Sequence, residues 1–181
     1  DLAHDRFINV QEETLPSLEL VQRSKAALSE QRIVLHKAML EKDPARLTEM
    51  ADASREAAEA RKTALTRYAQ QMVSDDTERK QLGDALHASQ AYTAMAEQVF
   101  SLLRADQRDA AAERVLHGKE DATAAGALDQ LVAYNHAQAR LLREAGDAAS
   151  ARARWVALTV MAVALSLNLW LAVSLQRAVG Q

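Results

Sequence analysis

The chain has 181 residues, 26% of them charged, a formal net charge of −3 and no cysteine. That excludes a disulfide framework, a thiol nucleophile and a cysteine-based zinc site, and no basic patch interleaved with aromatics offers itself to nucleic acid. Apolar residues make up 49% but aromatics only 4%, with 5 Gly and 2 Pro, so long, alanine-rich, closely packed helices with few connections are expected.

The first predicted helix runs to about Glu41. Pro16, in "TLPSLEL", is read as a kink in a helix that already arrives through "DRFINVQEE". Leu18, Val21, Leu28, Leu35 and Met39 recur on one stripe, and the same stepping also lands on Lys25 and Arg32. A charge on an apolar stripe is costly if buried without a partner.

A second helix is predicted from about Pro44 to Val73, with Asp43 as N-cap and the proline at the first helical position. Its stripe is Leu47, Ala51, Ser54, Ala58, Arg61, Leu65, Tyr68 and Met72. A third runs from about Asp76 to Arg104, capped by Ser74 or Asp75 with Glu78 in a capping-box position. Its stripe is Leu82, Leu86, Ser89, Thr93, Ala96, Val99 or Phe100, and Leu103.

The fourth is expected to start near Gln107 behind an Asp106 cap, and to continue unbroken past Gly118, Gly126 and Gly146. Its stripe is Arg114, His117, Asp121, Ala124, Leu128, Leu131, Asn135, Gln138 and Leu142. Short connections and steps of three and four predict an all-α, antiparallel up-down-up-down four-helix bundle.

Residues 155–175, "WVALTVMAVALSLNLWLAVSL", carry no charge. About 21 residues of helix span roughly 31 Å, matching a hydrocarbon core of about 30 Å, so helix 4 is expected to run on into a transmembrane helix. Trp155 stands at one border, and Asn168 is placed to hydrogen-bond a neighbouring span. The resulting division is a bundle over residues 1–154, a span over 155–175, and the start of a linker over 176–181. The chain does not begin with Met, so it is expected to be cut from a longer one, with a first span upstream.

Measured from the end carrying the first and third connections, Arg32 on helix 1 and His117 on helix 4 lie at similar depth, roughly 14–15 Å down. Ser54, Tyr92, Thr93 and Arg114 fall near the same level, so a polar layer is expected there. A cationic layer needs solvent, an acidic partner or a bound anion. The competing reading is that Lys25, Arg32 and Arg61 snorkel to water or pair with Asp121, Glu30 or Glu59.

The order of parts resembles the periplasmic sensor region of a methyl-accepting chemotaxis protein of the four-helix-bundle type. The matching pieces are "TLPSLELVQRSKAAL", "SDDTERKQL", "LRADQRDAAAERVL", "LVAYNHAQA" and the span ending "LAVSLQRAVGQ", which looks like the lead-in to a HAMP linker. The resemblance implies a homodimer packed along helix 1 on the outer face of a bacterial inner membrane. It further implies a small attractant near the distal end, a piston-like slide of helix 4, and cytoplasmic signalling partners. In aspartate-type relatives an arginine on helix 1 is followed by a second five residues on and a third four after that. Here Arg32 and Lys37 fit and Glu41 departs, so another organic acid or amino acid is expected. The candidate ligand set is Arg32, His36, Lys37, Ser54, Tyr92, Thr93, Arg114, His117 and Thr123.

Two alternatives stand beside this: the same sensor on a histidine kinase or other HAMP-linked output, and a membrane-tethered helical stalk that binds no small molecule and serves as a spacer or protein-docking rod. An enzyme is not expected. His4, His36, His87, His117 and His136 are scattered, no catalytic residue or metal site suggests itself, and no cofactor is implied.

Overall fold

The computed structural model describes the backbone of residues 15–179 and the side chains of residues 16–161. Five helical segments follow one another: α1 Leu15–Leu40, α2 Pro44–Gln71, α3 Asp76–Arg104, α4 Arg108–His117 and α5 Glu120–Val179. There is no strand among the described residues. Helix α1 packs on α2, α2 on α3, α3 on α5, and α5 back on α1, while α4 lies on α3 and α1 in line with α5. The result is a four-helix bundle whose fourth rod is made of α4 and α5.

The caps act as the sequence predicts at two of three helix starts. Asp43 accepts from the Ala45 N–H at 2.9 Å, with Pro44 in the first turn. Asp75 accepts from the Glu78 N–H at 2.9 Å, and Glu78 reaches back to the Ser74 N–H at 2.7 Å. The two exchanges satisfy donors that a helix start leaves open.

The third differs. Asp106 does not cap α4; it takes a left-handed conformation, φ 58°, at the end of α3. Its N–H bonds to the Leu103 carbonyl at 3.1 Å and the Gln107 N–H to the Leu102 carbonyl at 2.9 Å. This paired closure terminates helices through a left-handed residue, and an aspartate tolerates that conformation better than most.

A second correction concerns helix 4, which breaks at Gly118 and Lys119 before resuming at Glu120. Gly118 is extended, φ −69° and ψ 133°. A Cβ there would lie 2.8 Å from the Arg114 carbonyl oxygen and 2.9 Å from both an Arg114 nitrogen and a Glu120 oxygen. The Arg114–Glu120 ion pair closes over the break, its two hydrogen bonds 2.5 and 3.2 Å long, and only a glycine leaves room for it.

The core is the predicted one. Val21, Leu28 and Leu35 of α1, Leu47, Leu65 and Tyr68 of α2, Leu82, Val99 and Leu103 of α3, and Leu128 and Leu131 of α5 are all buried. Each such side chain contributes roughly 1.5–3 kcal/mol relative to exposure. At the end holding the first and third connections, Arg108 donates to the carbonyls of Met39 at 3.3 Å and Glu41 at 2.5 Å, tying the start of α4 to the exit from α1.

At the other end α5 runs on alone. Leu142, expected in the seam, is 47% exposed, and residues 140–161 are exposed throughout. The helix has outrun its described neighbours. The stretch preceding Pro16, where a kinked continuation of helix 1 is expected, lies outside the described residues. Backbone helicity persists through 155–179, while the side chains of 162–181, Asn168 among them, also lie outside. Among the described residues no helix is long and apolar enough to cross a membrane.

Candidate functional site

The polar layer exists, but its centre is not Arg32. In "SEQRIV" it is Gln31 that turns inward, 1% exposed, while Arg32 sits at the edge of the stripe. Arg32 Nε donates to Asp121, across the seam on α5. One turn or two lower, Lys25 pairs with Asp129 at 2.5 Å. Both seam cations therefore have a carboxylate on α5, at a third or more of their surface exposed, where such pairs are worth about 0–1 kcal/mol.

Arg61 of α2 is different. It is 1% exposed, in the middle of the bundle, and among the described residues it makes no ion pair. Neither snorkelling nor the expected Glu59 pairing occurs; Glu59 instead lies 3.5 Å from Lys62. The Arg61 guanidinium donates to Gln31 Oε1 at 2.8 Å, to the Ser89 carbonyl at 3.1 Å and to Thr93 Oγ1 at 2.8 Å. Its carbon lies 5.7 Å from the centroid of the Tyr92 ring. Nε is buried with no acceptor. Burial pushes the guanidinium down to about 10, which leaves it charged at neutral pH. Burial likewise raises the Tyr92 hydroxyl to about 12, with the Asp121 charge adding to the effect.

The charge is carried outward through neutral groups. Gln31 accepts from Arg61 on its oxygen and donates from Nε2 to Ser54 Oγ at 3.2 Å. Thr93 accepts from Arg61 and donates to the Ser89 carbonyl at 3.0 Å. Gln31, Ser54 and Thr93 then form part of the wall of a recess of about 220 Å³. Ala51 and Phe100 supply its apolar surface, and Arg55, Glu97 and Arg104 are its exposed members.

Of the predicted ligand set, Ser54, Tyr92 and Thr93 gather around Arg61. Arg32, His36 and Lys37 do not join them: His36 and Lys37 are on the exposed side of α1, with His36 Nδ1 2.7 Å from the Arg32 carbonyl. Arg114 is bound by Glu120 and donates to Gln98 at 2.9 Å, and His117 is exposed at the end of α4. Thr123 bonds its own helix at Lys119 and lines a shallow hollow of about 400 Å³ with Asp84, His87 and Gln130. Sequence reasoning passed over Gln31 and weighed Arg61 only as a cation that snorkels or pairs with an acid. The usable signal was there, because Ser54, Arg61, Ser89 and Thr93 are all polar residues at core positions of adjoining helices.

A second polar cluster, also unforeseen, lies at the end from which α5 extends. The Tyr68 hydroxyl donates to Glu78 and accepts from Asn135 Nδ2 at 2.7 Å, and Asn135 Oδ1 accepts from Ser17 at 2.9 Å. Beside it the Tyr134 hydroxyl donates to Asp75, holding that carboxylate below its usual range, and accepts from Gln138 at 2.7 Å. Four rods and the second connection are thus joined by side-chain hydrogen bonds at one level.

The Arg114 hydrogen bond also holds the Glu120 carboxyl below the ordinary carboxylate range. A depressed folded pKa contributes stability that is whole above the unfolded value, about 4.3, and is lost as pH falls through the folded one. Glu120→Gln should therefore flatten the acid limb of the stability profile below about pH 4.3. Denaturant midpoints taken between about pH 6 and pH 3 measure it, and an unchanged limb would show that the pair does not couple to folding.

Among the described residues the chain is an all-α bundle with a buried, polar-walled charge layer and one rod extended beyond the rest. Residues 3–149 match the family described as the four helix bundle sensory module for signal transduction. The chain belongs to that family, and its bundle is a sensor domain of the type carried by methyl-accepting chemotaxis proteins. A comparison with curated proteins found no match.

Proposed function

We propose that the bundle is the external sensor of a chemoreceptor-type transducer, that it recognises a small organic acid or amino acid, and that α5 carries the response across the bacterial inner membrane. The observation that carries this reading is the continuity of α5, Glu120–Val179, from the level of the polar layer into the apolar stretch 155–175. A helix of 60 residues is roughly 90 Å long. A displacement near Asp121 is transmitted along it as one body, which gives ligand binding a two-state element to bias.

The exposed face of α1 supports a homodimer. Ile33 and Leu40, seven residues apart, are 54% and 84% exposed, flanked by His36 and Lys37. Seven-residue spacing of apolar positions is the seam of a paired helix. In a dimer joined there, Arg32, His36 and Lys37 of one subunit face its partner near the distal end, where an anionic ligand is held between subunits. The piece after the span is then a HAMP lead-in feeding cytoplasmic signalling partners.

The test is a chimera joining residues 1–181 to the kinase-control region of a chemoreceptor, assayed in nanodiscs. A panel of organic and amino acids should contain a compound that changes kinase output. Four glycines inserted after Gly146 should abolish the change without abolishing binding. A response that survives the insertion, or a panel without effect on either binding or output, would refute the reading and favour a passive stalk.

A further inference from the structure

We propose that each subunit holds an anion site of its own, in the recess beside Arg61, that takes a small carboxylate with an apolar body. It lies among α1, α2 and α3 within one chain, so it goes beyond the dimer-face reading and needs neither a partner subunit nor a membrane.

Three observations converge. First, Arg61 is a cation 1% exposed that has no carboxylate partner among the described residues and whose Nε has no acceptor among them. Of the other described cations on the stripes, Arg32 and Lys25 each meet an aspartate of α5 and Arg114 meets Glu120. The bundle therefore supplies counter-charges where it can, and leaves this position without one.

Second, the recess shares its wall with the hydrogen bonds of Arg61. Gln31 and Thr93 each accept a guanidinium proton and each line the recess. Gln31 passes its polarisation to Ser54, which accepts from Gln31 and keeps its own proton to donate into the recess. A chain of donors ending in a hydroxyl presents positive potential at its tip.

Third, the exposed members are mostly cationic. Arg55 and Arg104 outweigh Glu97, and with Arg61 behind the wall the charge around the recess is three positive against one negative. Arg55 does bond Asp52 at 2.5 Å, with 54% of its side chain exposed, a pairing that a ligand can exchange. Ala51 and Phe100 form the remaining surface and fit a hydrocarbon body, which distinguishes an organic acid from an inorganic anion. About 220 Å³ suits a short-chain or single-ring acid.

The test uses the full chain in nanodiscs at constant ionic strength, with butyrate and benzoate as probes and butyramide and benzamide as their neutral counterparts. The acids should raise the unfolding midpoint by mass action and the amides should not. Arg61→Met should abolish the shift. Arg55→Gln and Arg104→Gln, both on the surface, should each weaken the acid by about threefold to tenfold. Chloride or phosphate should not compete at matched concentration. Amides as effective as acids, no shift with either acid, or a shift retained in Arg61→Met would overturn the proposal. Should Arg61→Met not fold, the Arg55→Gln/Arg104→Gln double variant decides, and unchanged affinity there rejects the site. Binding lost in Lys37→Ala but kept in Arg61→Met would move the ligand to the outer face of α1, sinking this site while sparing the dimer-face reading.

Discussion

Glu78→Ala is expected to lower the unfolding free energy by about 2–4 kcal/mol, the side chain removed being an acid favourably placed in the first turn of a helix. Glu78 is 3% exposed and accepts from Tyr68, from the Ser74 N–H at 2.7 Å and from the Ser74 hydroxyl at 2.8 Å. Water replaces it at exposed Ser74. It cannot do so at Tyr68, which is fully buried, so the phenol proton is left with no acceptor. Leaving one buried donor unmade accounts for about 1–3 kcal/mol, and loss of the reciprocal cap for about 1 more.

The tyrosine bond is separable. Tyr68→Phe should cost about 1–2 kcal/mol alone, and the double variant should cost less than the sum, with a coupling of about 1–3 kcal/mol. Denaturant titrations of the four proteins measure it, and additive losses would show that the contact contributes nothing. Because Asn135 donates to the same hydroxyl at 2.7 Å and accepts from Ser17 at 2.9 Å, both variants also loosen the register of α5 against α1. The end from which α5 projects is thus the place where slack would enter.

How much of this was legible beforehand depends on the kind of contact. Helix bounds followed from local chemistry: Asp43 accepts from the Ala45 N–H and Asp75 from the Glu78 N–H, each within four residues, so the sequence contains both partners. Asp106 misled because an aspartate before a helix start and an aspartate in a left-handed helix end look alike in sequence, and only the backbone decides between them. The break at Gly118 was hidden for another reason. A glycine alone only weakens a helix; here the Arg114–Glu120 pair, folding across it, makes the extended conformation worth keeping.

The stripes on α2 and α3 told which residues face inward, and every core position named there is buried or half-buried. What they could not tell was which inward polar groups meet. Gln31, Arg61 and Thr93 are separated by about a helix length each along the chain, and a one-residue rotation of α1 would have brought Arg32 in and put Gln31 out. Buried leucines fix that rotation: Leu28, Leu35 and Ala38 occupy the inner face, and Gln31 is the residue that shares it.

Replacing the centre of that layer should therefore stabilise the protein. Arg61→Met with Gln31→Leu is expected to raise the unfolding free energy by about 1–4 kcal/mol, the gain seen when buried ionic groups give way to apolar ones of similar volume. Arg61 has lost its water and found only neutral acceptors, Gln31, Thr93 and the Ser89 carbonyl, with Nε left over. Methionine fills the same long, narrow space, and leucine removes the amide that would otherwise be orphaned. Thr93 keeps its bond to the Ser89 carbonyl, so no new buried donor is created. Arg61→Ala should move the other way, by about 2–4 kcal/mol, since it leaves both a cavity and a buried Gln31 oxygen without its donor. Urea midpoints at unchanged slope distinguish these outcomes. A less stable Met/Leu variant would mean that the hydrogen bonds already compensate the charge, and that the layer is a structural fastening. A more stable one means the bundle retains a cation it folds better without. A charge kept at that cost, beside a recess edged by two further arginines, is what the proposed anion site would account for.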